Sequence, residues 1–223
     1  MATLQKQVAG QLPTHSPEGP TMNPRLEAPQ GPPHPADHPD LRPVVDLEHA
    51  RRRLADYRPR DADQQQLRDR VLQWIERYPE DAHRRERLEG HLTASALVVS
   101  ADLERVLLLH HRKLGRWLQP GGHCDGDANL AGVALRESIE ETGIPDLRVD
   151  PRVVDVDIHS IPARGDVPEH LHLDTRFRVY APAGAEPVRN HESNDLRWFT
   201  VDEALAIGED PSVDRLLHRS LVR

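Results

Sequence analysis

Cysteine is nearly missing from this chain: Cys124 is the only one in 223 residues. An intramolecular disulfide framework and a cysteine-rich zinc site are therefore excluded. One thiol accords with a reducing, cytoplasmic setting. Aromatic residues make up only 4% and hydrophobic residues 37% of the chain, against 20 prolines. That balance points to a globular part joined to an unstructured one. No apolar run approaches the length of a membrane span, and Met1 to Gln11 has no apolar signal-peptide core. The only lysines are Lys6 and Lys113. The formal net charge of −8 argues against a nucleic-acid polymer or a membrane surface as partner. It leaves room for a small phosphate-containing molecule, held locally by a metal and a few basic side chains.

Composition divides the chain in three. Residues 1–43 carry ten of the twenty prolines, including Pro32-Pro33-His34-Pro35, without apolar periodicity. They are expected to form an unstructured, polyproline-rich tail. In residues 44–83, Val44, Leu47, Ala50, Leu54 and Tyr57 fall at helical spacing, with Asp46 as cap. Leu67, Val71, Trp74, Ile75 and Tyr78 form a second stripe. Two helices this short need a surface to pack on, and residues 84–223 would provide it. There the period changes. Leu92–Val99 and Val106–Arg112 read as a hairpin, followed by strands at Val153–Ile161, Leu171–Tyr180 and Leu196–Thr200. Asp202 is placed to cap a short helix, and Pro211–Leu221 reads as a closing one.

Between hairpin and later strands lies the stretch that organises the rest. Pro120-Gly121-Gly122 makes a sharp loop, and Ala131, Leu135 and Ile139 form the apolar stripe of a helix that Gly143 ends. Arg136, Glu137, Glu140 and Glu141 share its other side. Carboxylates at spacings of three and four crowd one face and repel unless a cation sits among them. Oxygen ligands suit a hard divalent ion, Mg²⁺ or Mn²⁺.

Gly122, Arg136, Glu137, Glu140, Glu141, Gly143 and Ile144 stand in the register of the Nudix box, so the segment resembles the Nudix hydrolase family (MutT-like). Two positions depart. Ala128 stands where the pattern has its first glutamate, and Ser138 replaces an apolar residue. Asp127 is either a substitute brace for the loop or the helix N-cap. The resemblance implies an α/β fold, an α+β sandwich with a mixed sheet between helices, here with an N-terminal helical extension. It implies metal-assisted hydrolysis of a diphosphate linkage in a nucleoside diphosphate derivative. Glu137, Glu140 and Glu141 with the Gly121 carbonyl would be the metal ligands, and Arg136 would orient a glutamate. The family's general base varies, and Glu192 is the distal candidate. A domain that binds a ligand without turning it over is the alternative.

Other residues are candidates for substrate. Arg112, Lys113 and Arg176 suit phosphate oxygens. His170 and His172, two apart on one strand, share a face with Asp174, Arg176 and Arg178. That face is the expected groove wall, and its histidines can hydrogen-bond a substrate or hold a transition metal instead. His123 borders the glycine loop. Cys124 lies beside it, but water-based chemistry has no need of a thiol.

Overall fold

Every residue of Gly90–Val99 (β2) is buried, as a strand covered on both faces must be. It is the centre of a mixed eight-stranded sheet in a computed structural model that describes residues 24–222. The elements run β1 (His34–Pro35), α1 (Glu48–Asp56), α2 (Ala62–Arg77), β2, β3 (Arg105–His111), β4 (Arg116–Leu118), β5 (Gly121–His123) and α3 (Leu130–Thr142). After these come β6 (Arg148–Ile161), β7 (His170–Tyr180), β8 (Ser193–Thr200), α4 (Val201–Ile207) and α5 (Pro211–Ser220).

The expected hairpin is short. β2 and β3 pair at Val98–Leu107 and Val99–Val106, then diverge, and β5 takes the place of β3 beside Thr93–Ser95. The long partner of β2 is β7, parallel in register from Gly90–Leu171 to Val99–Tyr180. β6 extends the sheet antiparallel to β7, and β8 pairs with β3.

Alternation gives the central strands two faces. Leu92, Ala94, Ala96 and Val98 of β2 join Leu173, Phe177 and Val179 of β7 in one core with Ala131, Ala134 and Leu135 of α3. Leu97 and Val99 belong to a second core with Val201, Val213, Leu216 and Leu217 of α4 and α5. The helices therefore enclose the sheet from both sides. α1 and α2 pack on the first core through Ala50, Leu54, Val71 and Ile75. The buried Gln64 side chain hydrogen-bonds both backbone groups of Val156 on β6.

The tail expected over residues 1–43 is corrected where it is described. Residues 1–23 lie outside the described residues. From residue 24 the chain is packed: Leu26 is 1% exposed and bridges Leu221, and β1 pairs with β6. Pro39–Leu41 forms a 3-10 turn that buries Leu41. Proline forbids donation but suits a two-residue edge strand, and the apolar side chains needed to hold it are isolated ones that carry no periodicity. One cap also differs from expectation. Thr200, one turn before Glu203, makes a reciprocal capping box for α4 in place of Asp202. Of the two roles open to Asp127, the N-cap of α3 is taken by Asn129.

Candidate active site

Two close approaches fix the glycine loop, one against β2 and one against α3. A Cβ on Gly121 would overlap the side chain of Ser95, and one on Gly122 would overlap the Glu137 carboxylate. The loop therefore lies between β2 and α3 only because both residues lack side chains. Gly121 N–H donates to Glu141 Oε2 at 2.9 Å. α3 starts at Asn129, whose Oδ1 accepts from Gly132 N–H and whose Nδ2 donates to the carbonyls of Asp40 and Arg42. It ends at Gly143 with φ 67°, a left-handed stop that favours glycine.

The carboxylates are unequal. Glu141 is 7% exposed, and burial pushes its pKa up to about 8 against the Gly121 N–H bond, helped by the charges of Glu137, Glu192 and Glu140. Burial also raises Glu137, opposed by Arg136 and reinforced by Glu140. Glu140 is exposed. Arg136 reaches Asp127 Oδ2 at 3.5 Å and Glu137 Oε1 at 3.4 Å, and donates to the His123 carbonyl at 3.5 Å. Ala128 is fully buried in the first core, so the loop is braced one residue early. Ser138 is buried and donates its hydroxyl to the Ala134 carbonyl at 2.7 Å, which satisfies a polar group in an apolar position.

The loop before β8 folds over the end of α3. Val188 N–H donates to the Thr142 carbonyl and Asn190 Nδ2 to the Glu140 carbonyl. This carries Glu192 close enough for its charge to raise Glu141. Arg112 N–H donates to the Glu192 carbonyl, and the Arg112 side chain to that of His191. Arg112 and Lys113 are exposed beside this loop.

The polar face of β7 departs from expectation. It turns away from α3, toward α5. Arg176 is 1% exposed; its guanidinium pairs with Asp174 at 2.9 Å, Asp157 at 3.1 Å and Asp155 at 3.4 Å, and donates to Ser212 on α5. Arg215 of α5 joins Asp155 and Asp157. Asp174 also accepts from Thr93 and Ser95 hydroxyls. Arg176 is thus spent on a buried network and does not stand as a phosphate ligand. His170 and His172 lie further along this face, so they form no wall opposite the glutamates. They gather with His123 around His91, a residue of β2 that no sequence pattern singled out. Burial, with repulsion from Arg85 and neighbouring ring charges, holds His123 down to about 4. Burial and the other rings hold His172 down to about 2, and burial lowers His91. Cys124 is buried and its thiol is pushed up by desolvation, which leaves it inert.

Residues 90–220 match the model of the NUDIX domain. The chain belongs to the NUDIX family. Its Nudix box is the β5–α3 unit just described. Among curated proteins, a CMP-5'-(N-acetyl-N-hydroxy-3-aminopropyl)phosphonate hydrolase of Streptomyces rubellomurinus is 30% identical over 119 residues, 50% of this chain and 52% of that protein. A putative 8-oxo-dGTP diphosphatase 3 of Mycobacterium tuberculosis is 32% identical over 126 residues, 51% and 54% of the two chains. The chain thus spans about half the length of the curated relatives it matches. Among solved structures, a C. elegans Ap4A hydrolase binary complex has 19% identity and a TM-score of 0.47, covering 57% of this chain and 93% of its own. The E. coli dihydroneopterin triphosphate pyrophosphohydrolase has 19% identity and a TM-score of 0.46, covering 57% and 92%.

Proposed function

We propose that this Nudix domain hydrolyses a diphosphate linkage in a nucleoside diphosphate derivative. The observation that carries the reading is the crowding of Glu137 and Glu141 against Gly121-Gly122, with Arg136 at their side. A buried and a half-buried carboxylate with raised pKa values, placed beside an exposed third, are a site short of positive charge. An all-oxygen donor set of Glu137, Glu140, Glu141 and the Gly121 carbonyl fits Mg²⁺ or Mn²⁺. Bound there, such an ion supplies charge for phosphate oxygens and acidifies water. Among the described residues, the groups that bring three ligand atoms within 4.8 Å of one another do not include these glutamates. Substrate oxygens would complete the coordination, as Mg²⁺ sites favour.

The chain's own residues then divide the work. Gly121 N–H holds Glu141 in place, and Arg136 holds Glu137. Arg112 and Lys113, exposed beside the Glu192 loop, meet phosphate oxygens. Glu192 is the candidate general base, carried toward Glu141 by the loop. The names of both curated relatives concern nucleotide phosphates, which supports the substrate class.

The test is turnover of a panel of nucleoside diphosphate derivatives with Mg²⁺ or Mn²⁺. Glu140→Gln changes an exposed side chain, so its fold is retained, and product release should fall about 100-fold or more, in the range of a lost charge-stabilising group. Equal, slow release by both proteins would sink the hydrolase reading. Saturable binding without turnover would establish the ligand-sensing alternative.

A further inference from the structure

Five imidazoles meet where β2, β5, β6 and β7 come together on the α5 side of the sheet. The register sets His91 of β2 directly beside His172 of β7, and His172 beside His159 of β6. β5 brings His123 opposite Thr93, two residues along β2 from His91. Ring centroids lie 4.9 Å apart for His91 and His123, 5.0 Å for His91 and His172, and 5.0 Å for His123 and His172. His170 closes the group at 5.1 Å from His91.

Three of these rings each offer a nitrogen within 4.8 Å of the other two: His91, His123 and His172. Nε2 of His91 and Nε2 of His172 are buried and have no hydrogen-bond partner. Leaving such groups unpaired in a protein interior carries a free-energy penalty. His91 is 3% exposed and sets Nδ1 against the Arg87 carbonyl at 3.3 Å. That contact fits a proton on Nδ1, which turns an Nε2 lone pair toward the other rings. The surrounding rings are held as well. His170 Nδ1 meets the Pro168 carbonyl at 2.9 Å, and His159 Nδ1 meets Asp157 Oδ2 at 2.9 Å.

We propose that His91, His123 and His172 form a second metal site, for a borderline-soft divalent ion of the Zn²⁺ class, separate from the glutamate site on α3. Imidazole nitrogens suit Zn²⁺ and its neighbours far better than Mg²⁺. Zn–N bonds of about 2.0–2.1 Å in a tetrahedron put the ligand nitrogens roughly 3.4 Å apart, so ring adjustments of about an ångström close the site. Three protein ligands leave the fourth position for water or an anionic oxygen. The short strand β5 belongs to both sites: Gly121 at one end is bonded to Glu141, and His123 at the other end enters the histidine group.

The experiment uses the untagged full chain, stripped with a chelator and dialysed, then titrated with Zn²⁺ and with Co²⁺. One equivalent of Zn²⁺ should be retained at micromolar concentration and raise the melting temperature. Co²⁺ should give the intense visible bands of a tetrahedral nitrogen site. His91→Ala and His172→Ala should each weaken Zn²⁺ binding at least about 100-fold, while Glu140→Gln keeps it, which separates this site from the hydrolase site. His38→Ala also keeps it, although His34, His38 and Asp40 make the other convergent group among the described residues. Weak octahedral Co²⁺ bands in the wild type would overturn the proposal without any variant having to fold. So would unchanged affinity in the histidine variants, or loss of binding in Glu140→Gln.

Discussion

Asp127 Oδ2 stands 3.5 Å from Arg136 Nη1, while Oδ1 of the same carboxylate accepts from Val44 N–H at 3.0 Å and Asn129 N–H at 2.9 Å. One side chain thus holds the incoming chain, the start of α3 and the arginine of the Nudix box. Asp127→Ala strands one buried and one half-buried N–H group and should cost about 1–3 kcal/mol, with a parallel fall in turnover as Arg136 loses its orientation. Asp127→Asn keeps an acceptor and should cost less. Urea titration and steady-state rates on both variants check this.

Restoring the glutamate that the box pattern has at position 128 should harm this protein. Ala128 is fully buried in the first core, and its N–H donates to the Val44 carbonyl. A carboxylate there has neither water nor a free cation, since Arg136 is already paired. Ala128→Glu should lower stability by about 2–4 kcal/mol, in the range for burying an uncompensated polar group. An unchanged or raised melting temperature would show that the core opens to admit it.

The buried guanidinium of Arg176 balances Asp155, Asp157 and Asp174. Its removal leaves the charges of the buried aspartates less compensated. Arg176→Met should destabilise the fold by about 3–5 kcal/mol, the usual result of breaking a buried ion pair from one side. Chemical denaturation gives the number. A loss under about 1 kcal/mol would mean that Arg215, together with Arg219, whose Nε lies 3.1 Å from Asp155 Oδ1, suffices.

Leu26 ties residues before α1 to the second core. It packs in that cluster and bridges Leu221, and Glu27 bonds Arg178 at 2.7 Å. Leu26→Ala should cost about 2–5 kcal/mol, as for other fully buried leucines. A melting temperature equal to wild type would mean that this segment detaches in solution.

Glu141 makes metal-free stability depend on pH. Its pKa rises from 4.5 to about 8 on folding, so between those values the folded chain binds more protons than the unfolded one. Its own contribution to stability should therefore fall as pH rises through that window. The lowered pKa values of His91, His123 and His172 act in the opposite sense, so the measure is the difference between wild type and Glu141→Gln. Urea titrations of both proteins in chelator from about pH 5 to about pH 8 give it; a wild-type advantage that grows with pH would contradict the burial of this carboxyl.

Much of the site could be read along one helix. Arg136, Glu137, Glu140 and Glu141 share a turn and a half of α3, where spacing alone sets which side chains are neighbours. The glycines before it were legible from the box spacing, although their neighbours in space lie on β2 and α3. The alternation of β7 was legible as two faces, but what covers each face was not. Arg176 looked like a phosphate ligand because its row is polar. α5 turned that row into an ion-pair network, and nothing local to β7 encodes the arrival of α5.

The sequence alone thus determined the longer helices and strands, the anionic helix and the family to which they point, because helix and strand periods and box spacing are short-range properties of the chain; the short strands β1, β4 and β5 carry no such period. Tertiary structure decided which distant strands are neighbours. Parallel pairing of β2 with β7 put His91 beside His172, and β5 brought His123 to them. It also decided that Asp127 braces Arg136 while Asn129 caps the helix: the incoming chain bonds Asp127 through Val44 N–H and Asn129 through the carbonyls of Asp40 and Arg42. Strand period tells which side chains share a face. Pairing and coverage depend on burying apolar surface across the whole chain, and that is why the histidine group appears only in three dimensions.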